Sequence, residues 1–129
     1  MIRAYHFVGE TLRDGRDIPA DGVWLEESGE IELCSKGLHA SVHVADAIRY
    51  APGLTLCLVE LDGKLQEGTD KICASRRRIL VRFDATELLR ADARASALSV
   101  AHLWKMPNIV KRYLETGDES IRAEARHAA

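Results

Sequence analysis

The order of apolar and polar positions predicts strands in the first two thirds of the chain and helices in the last third. Ile2–Val8 is rich in strand-forming residues and is followed by Gly9. The most apolar run, residues 54–61, is typical of a central strand that is covered on both faces. Further short strands are predicted at 23–25, 30–34, 64–65, 71–74 and 79–83.

Helical spacing and capping residues predict four helices. Ser41 is a good N-cap for a helix at 42–50, because its hydroxyl can accept a hydrogen bond from the first turn. Asp84 and Glu87 form a capping-box-like start for a helix that runs to about residue 105. Pro107 suits the first turn of the next helix, which is predicted to end at Thr116-Gly117. The last helix is predicted at 118–129.

This segregation of strands and helices indicates an α+β fold with a mixed or antiparallel sheet. A chain of 129 residues suits a single domain, in which 1–84 is mainly β and 85–129 is helical. No apolar run approaches the length of a membrane span, and no long apolar leader opens the chain. We therefore expect a protein that does not contact a membrane.

Composition narrows the classes of function. Eighteen Lys and Arg against 20 Asp and Glu leave a net charge of −2, which argues against general nucleic-acid binding. The three cysteines form no C-x-x-C pair. An odd number of separated thiols favours a reducing cytoplasm.

One spacing raises the question of a metal site. Cys34, His39 and His43 form a C-x4-H-x3-H set, and Cys57 or Cys73 could supply a fourth zinc ligand. Alternatively, Cys34 is a small buried apolar residue and the histidines hydrogen-bond the turn. Because the predicted helix begins between the two histidines, they do not share one helical face. We expect no stoichiometric zinc.

His6 is a second candidate for chemistry. Histidine titrates near neutral pH and can act as an acid, a base or a hydrogen-bond donor. His6 and His39 are 33 positions apart, and we expect both imidazoles to open onto one cleft. The alternative is a half-buried strand histidine without a functional role.

A third candidate is a polar cluster around the predicted strand 71–74. Its members are Asp70, Lys71, Arg76, Arg77 and Arg78. Guanidinium groups bind phosphate through two hydrogen bonds, and lysine adds a point charge. From this cluster Lys71, Arg76 and Arg78 are candidate contacts for a nucleotide, an RNA segment or an acidic partner. The alternative is a solvated turn followed by an edge strand whose charges prevent aggregation.

The segments LCSKGLHAS, ADAIRYAPG and LCLVELDGKLQEGTDKICASRRRIL resemble an uncharacterised family of bacteriophage and prophage proteins. The resemblance spans roughly residues 1–90. It implies a phage or prophage origin and no particular reaction. The first functional hypothesis is therefore an accessory protein, without a cofactor, that binds a host or phage macromolecule in the cytoplasm of a bacterial host.

A weaker resemblance is to ADP-ribosyltransferase-like folds. Tyr5-His6 resembles the first strand of that fold, and the run 37–41 followed by Ala47 and Tyr50 resembles its turn and helix. The resemblance implies an NAD-type nucleotide surrounded by His6, His39 and Tyr50. The sequence differs from the family in carrying His39 at the aromatic position and arginines where a late glutamate belongs. The second hypothesis is thus an NAD-type nucleotide-binding protein or enzyme.

Overall fold

The computed structural model describes residues 1–33 and 35–129. The described chain divides into two compact units, a sheet unit (Met1–Ala85) and a helical unit (Thr86–Ala129). Strands lead and helices follow, and all pairings between the strands are antiparallel, so the α+β prediction is confirmed. The assignment of the whole chain to one domain stays a prediction.

The sheet unit contains five strands and one short helix. They are β1 (Ile2–Val8), β2 (Leu25–Glu26), β3 (Leu38–Ala40), α1 (Val44–Ile48), β4 (Thr55–Glu67) and β5 (Ile72–Asp84). The order across the sheet is β1-β4-β5-β2, and β3 pairs with the first residues of β5. Tyr5 and Ser41 exchange backbone hydrogen bonds of 2.7 and 2.8 Å, so the path of paired strands returns from β3 to β1. The sheet therefore curls around an inner face.

The hairpin of β4 and β5 replaces four predicted strands with two strands of 13 residues each. The predicted strands 54–61 and 64–65 are separated by Asp62-Gly63, a dipeptide typical of a turn, and a turn was therefore expected there. Instead, the register between the strands shifts at this point, and Gly63 takes a φ of 77° within β4. The prediction was wrong because a glycine that permits positive φ can serve a bulge as well as a turn.

Two further predictions around the first helix were wrong. Ser41 does not cap α1: it pairs with β1, and the N-cap position belongs to His43, which makes no side-chain cap hydrogen bond. The predicted strand 30–34 includes Cys34, outside the described residues, and its remaining residues show one isolated bridge between Glu32 and Lys36. The strand that does join the sheet is β3, in residues for which no strand was predicted.

Alternation along the strands decides what faces inward. Ala4 pairs with Val59, which pairs with Ile79, and all three are buried. His6 lies two positions from Ala4 and pairs with the buried Cys57, so it belongs to the same face. A histidine thereby lines an otherwise apolar inner surface.

The helical unit contains α2 (Thr86–Ser99), α3 (Asn108–Thr116) and α4 (Arg122–Ala128), with 3-10 turns at Ala101–Leu103 and Glu119–Ile121. Helix α2 ends about six residues earlier than predicted. Gly117 ends α3 with a φ of 67°, and its N–H donates to the Tyr113 carbonyl at 2.7 Å. None of the helices that the structure describes is long and apolar enough to cross a membrane.

Candidate functional site

The sheet unit contains a cavity of about 670 Å³. Its walls come from β1, from the turn at 11–16, from residues 35–41, and from α1 with the residues that follow it. Glu27, which follows β2, Lys71, which precedes β5, and Arg77 within β5 complete the lining. A cavity of this size is in the range that proteins use for small organic ligands.

Arg77 is the most unusual group in this lining. Its residue is 6% exposed, and its Nη1 donates to the His39 carbonyl at 2.6 Å. Among the described residues, no carboxylate oxygen lies within 4.0 Å of its guanidinium. Burial lowers the pKa of Arg77 to about 10, so the group remains charged at neutral pH. A buried arginine is usually paired with an acid, and this one faces a cavity instead.

The neighbouring arginines point to the opposite face of β5, because side chains alternate along a strand. Arg76 Nε lies 2.9 Å from Glu26, and its Nη1 lies 3.3 Å from Asp62. Arg78 binds Glu60 through Nε at 2.9 Å and Nη2 at 2.6 Å. Both sequence candidates are therefore engaged by acids outside the cavity.

Trp24 contacts both of these outer arginines. The guanidinium carbon of Arg76 is 4.2 Å from the ring centroid, and that of Arg78 is 4.7 Å away. Guanidinium groups at this distance from an indole are attracted by its electron-rich face. On the outside of the sheet, Arg76 and Arg78 thus combine ion pairs to acids with cation–π contacts to Trp24.

His6 and His39 line the same cavity. Burial, the charge of Arg77 and the neighbouring His39 lower the pKa of His6 to about 3. Burial also lowers the pKa of His39, together with the charges of Lys71, Arg77 and Arg13. A hydrogen bond with the Gly37 backbone acts in the opposite direction. Both imidazoles are therefore neutral at pH 7 beside a fixed cation.

The cavity lining is strongly cationic, in contrast to the chain as a whole. Five cations and two carboxylates line it; the cations are Arg13, Arg16, Lys36, Lys71 and Arg77, and the acids are Asp14 and Glu27. Arg16 engages both acids, at 2.6 Å from Asp14 and 2.7 Å from Glu27. The lining as a whole carries more cations than carboxylates, so the cavity favours an anion.

Tyr50 and Lys71 lie together in another part of the lining. The Tyr50 hydroxyl donates to Asp70 Oδ2 at 2.5 Å, and the Lys71 ammonium sits 4.7 Å from the ring centroid. Tyr50 is 47% exposed, so part of its surface is accessible. Of the six residues proposed from sequence, the cavity brings four together: His6, His39, Tyr50 and Lys71.

Sequence reasoning did not single out Arg77 or Arg13 as ligand contacts. A triple arginine within a predicted strand implies that its middle member faces away from the other two. The alternation therefore separated Arg77 from Arg76 and Arg78, but the sequence did not show which face of the strand was the inner one. Arg13 lies in a turn-rich segment, where no periodic pattern identifies it.

The described residues contain no group of three side chains that could hold a metal ion. Cys34, on which the zinc set depended, lies outside them. The thiols of Cys57 and Cys73 are buried, and Cys73 Sγ donates to the Lys36 carbonyl at 3.1 Å. The expected lack of stoichiometric zinc stays a prediction.

His6 should make stability depend on pH. Its pKa is about 3 in the folded protein and about 6.5 in the unfolded chain, so between these values the unfolded state binds more protons. The free energy of unfolding should therefore fall as pH drops from about 6.5 toward 3. In urea unfolding across that range, His6→Gln should reduce the slope by up to about one proton. His127→Gln, at an exposed position of α4, is the control, and equal slopes for wild type and His6→Gln would contradict the prediction.

The fold and the cavity define a class: an α+β protein whose curled antiparallel sheet holds a cation-lined cavity of ligand size. A family model described as a domain of unknown function, DUF7666, matches residues 2–91, and the chain belongs to that family. The match covers nearly all of the sheet unit. It confirms the resemblance to an uncharacterised family at that level. No curated protein and no solved structure matches the chain significantly.

Proposed function

We propose that the sheet unit binds a small anionic molecule in the cavity, with Arg77 as the group that holds the anion. The observation that carries this proposal is the buried guanidinium of Arg77, which faces the cavity without a carboxylate beside it among the described residues. Taking a cation out of water costs several kcal/mol, and one carbonyl hydrogen bond offsets only part of that cost. A bound anion would offset the remaining cost of burying the guanidinium.

The donors of Arg77 support the same conclusion. A guanidinium has five N–H donors, and the bond to His39 uses one of them. Among the described residues, no side-chain nitrogen is both buried and without a hydrogen-bond partner. The Nε and Nη2 atoms of Arg77 therefore keep some accessible surface, and Arg77 lines the cavity, where a carboxylate or phosphate could accept two N–H donors at once.

An NAD-type nucleotide is a specific form of this proposal. A nucleotide combines phosphate groups with planar rings, and the cavity places arginine, neutral imidazoles and a partly exposed tyrosine around one space. The resemblance to ADP-ribosyltransferase-like folds points to the same ligand. Glu27, the glutamate in the lining, is held by Arg16, so the proposal concerns binding and no transfer reaction.

Calorimetry with NAD and ADP-ribose as probes tests the proposal, beside thermal unfolding with the same probes. A ligand at 100 times its Kd raises the free energy of unfolding by about 2.7 kcal/mol. Arg77→Gln should weaken binding by about 30-fold or more, because a charge-assisted bidentate contact is lost. Arg3→Gln, on the exposed part of β1, should bind like wild type. Binding that survives in Arg77→Gln would overturn the role of Arg77.

Stability distinguishes a ligand-binding arginine from a structural one. Arg77→Met removes a buried charge that has no acid beside it, so its free energy of unfolding should stay within about 1 kcal/mol of wild type. Urea unfolding measures this value. A loss of several kcal/mol would mean that Arg77 stabilises the fold, and the anion-binding proposal would lose its main support.

We also propose, as a second candidate, that the chain is a phage or prophage accessory protein that binds a host or phage macromolecule. Exposed apolar side chains in the helical unit favour this function: Leu103 is 71% and Trp104 is 46% exposed. Cross-linking in a bacterial host, read by mass spectrometry, tests it. A partner that is linked to wild type and absent with Trp104→Glu supports the proposal, and identical profiles for the two chains contradict it.

A further inference from the structure

We propose that the hydroxyl of Ser41 is the second contact of the anion that Arg77 holds, and that the group bound by these two side chains carries a single negative charge. A carboxylate is such a group, and so is the phosphate of a diester or of a diphosphate bridge. This inference rests on the anion-binding function proposed above and adds to it a binding residue and the chemical class of the ligand.

Ser41 is a buried residue whose hydroxyl has no role within the fold. The residue is 2% exposed and lies in the lining of the cavity. Its backbone N–H and carbonyl pair with Tyr5, but its hydroxyl makes no hydrogen bond with any described residue. Since no fully buried side-chain oxygen of the described residues lacks a partner, the Ser41 oxygen keeps some accessible surface. A buried hydroxyl without a partner destabilises a fold, and a ligand in the cavity would supply the missing hydrogen bond.

The hydrogen bonding of Arg77 determines how an anion can bind to it. Nη1 donates to the His39 carbonyl at 2.6 Å, and neither Nε nor Nη2 donates to a described residue. Nε–H and one N–H of Nη2 lie side by side in the plane of the guanidinium, so together they can donate to two oxygens of one anion. Both atoms keep some accessible surface, and Arg77 lines the cavity. An anion there can therefore be held by this one bidentate edge.

The backbone around β3 brings the two contacts together. Ser41 follows His39 by two positions in extended chain, so their Cα atoms lie about 6–7 Å apart and their side chains face the same way. The hydrogen bond to the His39 carbonyl holds the guanidinium of Arg77 at that position, and the bridge to Tyr5 holds Ser41 against β1. We therefore expect an anion on the bidentate edge of Arg77 to lie within reach of the Ser41 hydroxyl.

The charges around Arg77 select a singly charged group. Among the described residues of the lining, Arg77 is the only cation that is buried. The other four cations are exposed or half-buried: Arg13, Arg16, Lys36 and Lys71. Ser41 is neutral, and His6 is neutral at pH 7 because its pKa is about 3. The cost of taking an ion out of water grows with the square of its charge, whereas its attraction to one cation grows only in proportion to the charge. A second negative charge beside Arg77 is therefore unfavourable.

An NMR titration with small anions tests the inference without knowledge of the rest of the ligand. The probes are acetate, dimethyl phosphate and methyl phosphate at about pH 7.5 and matched ionic strength, followed through the Arg77 Nε–H signal. Methyl phosphate, with a second pKa of about 6, carries nearly two charges under these conditions, and the other two probes carry one. At least one singly charged probe should bind more tightly than methyl phosphate. The tighter of acetate and dimethyl phosphate shows whether the group is a carboxylate or a phosphate diester.

Ser41→Ala separates a hydroxyl that binds the ligand from one that stabilises the fold. The melting temperature of the ligand-free variant should equal or exceed that of the wild type, because the hydroxyl has no partner to lose. Its affinity for the tightest singly charged probe should fall about tenfold, since a hydrogen bond to a charged group is lost. Ser28→Ala, at an exposed position outside the lining, is the control and should change neither value.

The possible failures are distinct. Unchanged affinity in Ser41→Ala, or a lower melting temperature of its ligand-free form, would overturn the role of Ser41 while the anion-binding function stands. If methyl phosphate binds as tightly as both singly charged probes, or more tightly, the single-charge assignment is wrong. If none of the three anions shifts the Arg77 signal, this inference and the proposed function both fail.

Discussion

Gly37→Ala should destabilise the sheet unit by about 3–5 kcal/mol, since it combines backbone strain with steric overlap. Gly37 has a φ of 132°, which L-amino acids other than glycine rarely adopt. A Cβ added there would lie 2.1 Å from Cys73 Sγ and 3.3 Å from the Ala74 carbonyl oxygen. Gly37 immediately precedes β3, so the displacement would also loosen the strand that carries His39. Urea unfolding at pH 7 measures the loss.

Two matched variants separate the causes of that loss. Gly22 has a φ of 83° and open space around it, so Gly22→Ala reports strain alone, about 1–2 kcal/mol. Adding Cys73→Ala to Gly37→Ala removes the overlapping sulfur and should recover part of the stability, relative to Cys73→Ala alone. A Gly37→Ala protein no less stable than Gly22→Ala would show that the close approach of Gly37 and Cys73 is wrong.

Arg78→Ala should cost about 2 kcal/mol, the second largest effect that we expect. Glu60 is 8% exposed and accepts two hydrogen bonds from Arg78, so the variant leaves a buried carboxylate without its partner. Breaking a fully buried pair typically costs about 3–5 kcal/mol. The lower figure reflects the 31% exposure of the Arg78 side chain. Loss of contact with Trp24 adds to the effect.

Arg76→Ala is the matched control for Arg78→Ala. Arg76 also contacts Trp24, but its acids, Glu26 and Asp62, have side chains 64% and 39% exposed. The expected cost is below about 1 kcal/mol, as for other exposed pairs. Combining Glu60→Gln with Arg78→Ala should recover much of the lost stability, because no buried charge remains. Equal losses for Arg76→Ala and Arg78→Ala would contradict this account of Glu60.

Part of the candidate site could be predicted from the sequence. His6 and His39 were expected to open onto one cleft, and the cavity has both in its lining. The expectation came from a fold-level resemblance, because residues 33 positions apart carry no local signal of proximity. The role of Arg77 depended on which face of β5 turns inward. Only the pairing of β5 with β2, β3 and β4 decided that.

The sequence by itself determined the local features: the division into strands and then helices, the strand character of Ile2–Val8, and the end of α3 at Gly117. These follow from propensity, periodicity and the steric freedom of glycine, which act over a few residues. The tertiary structure decided the rest. Ser41 could cap a helix or pair with Tyr5, and Asp62-Gly63 could turn or bulge. Ser41 pairs with β1, and the residues around Asp62-Gly63 pair with β5, so strands distant in sequence supplied hydrogen bonds that a helix cap or a turn would not make. The same pairing of β5 with its neighbours turned Arg77 toward the cavity.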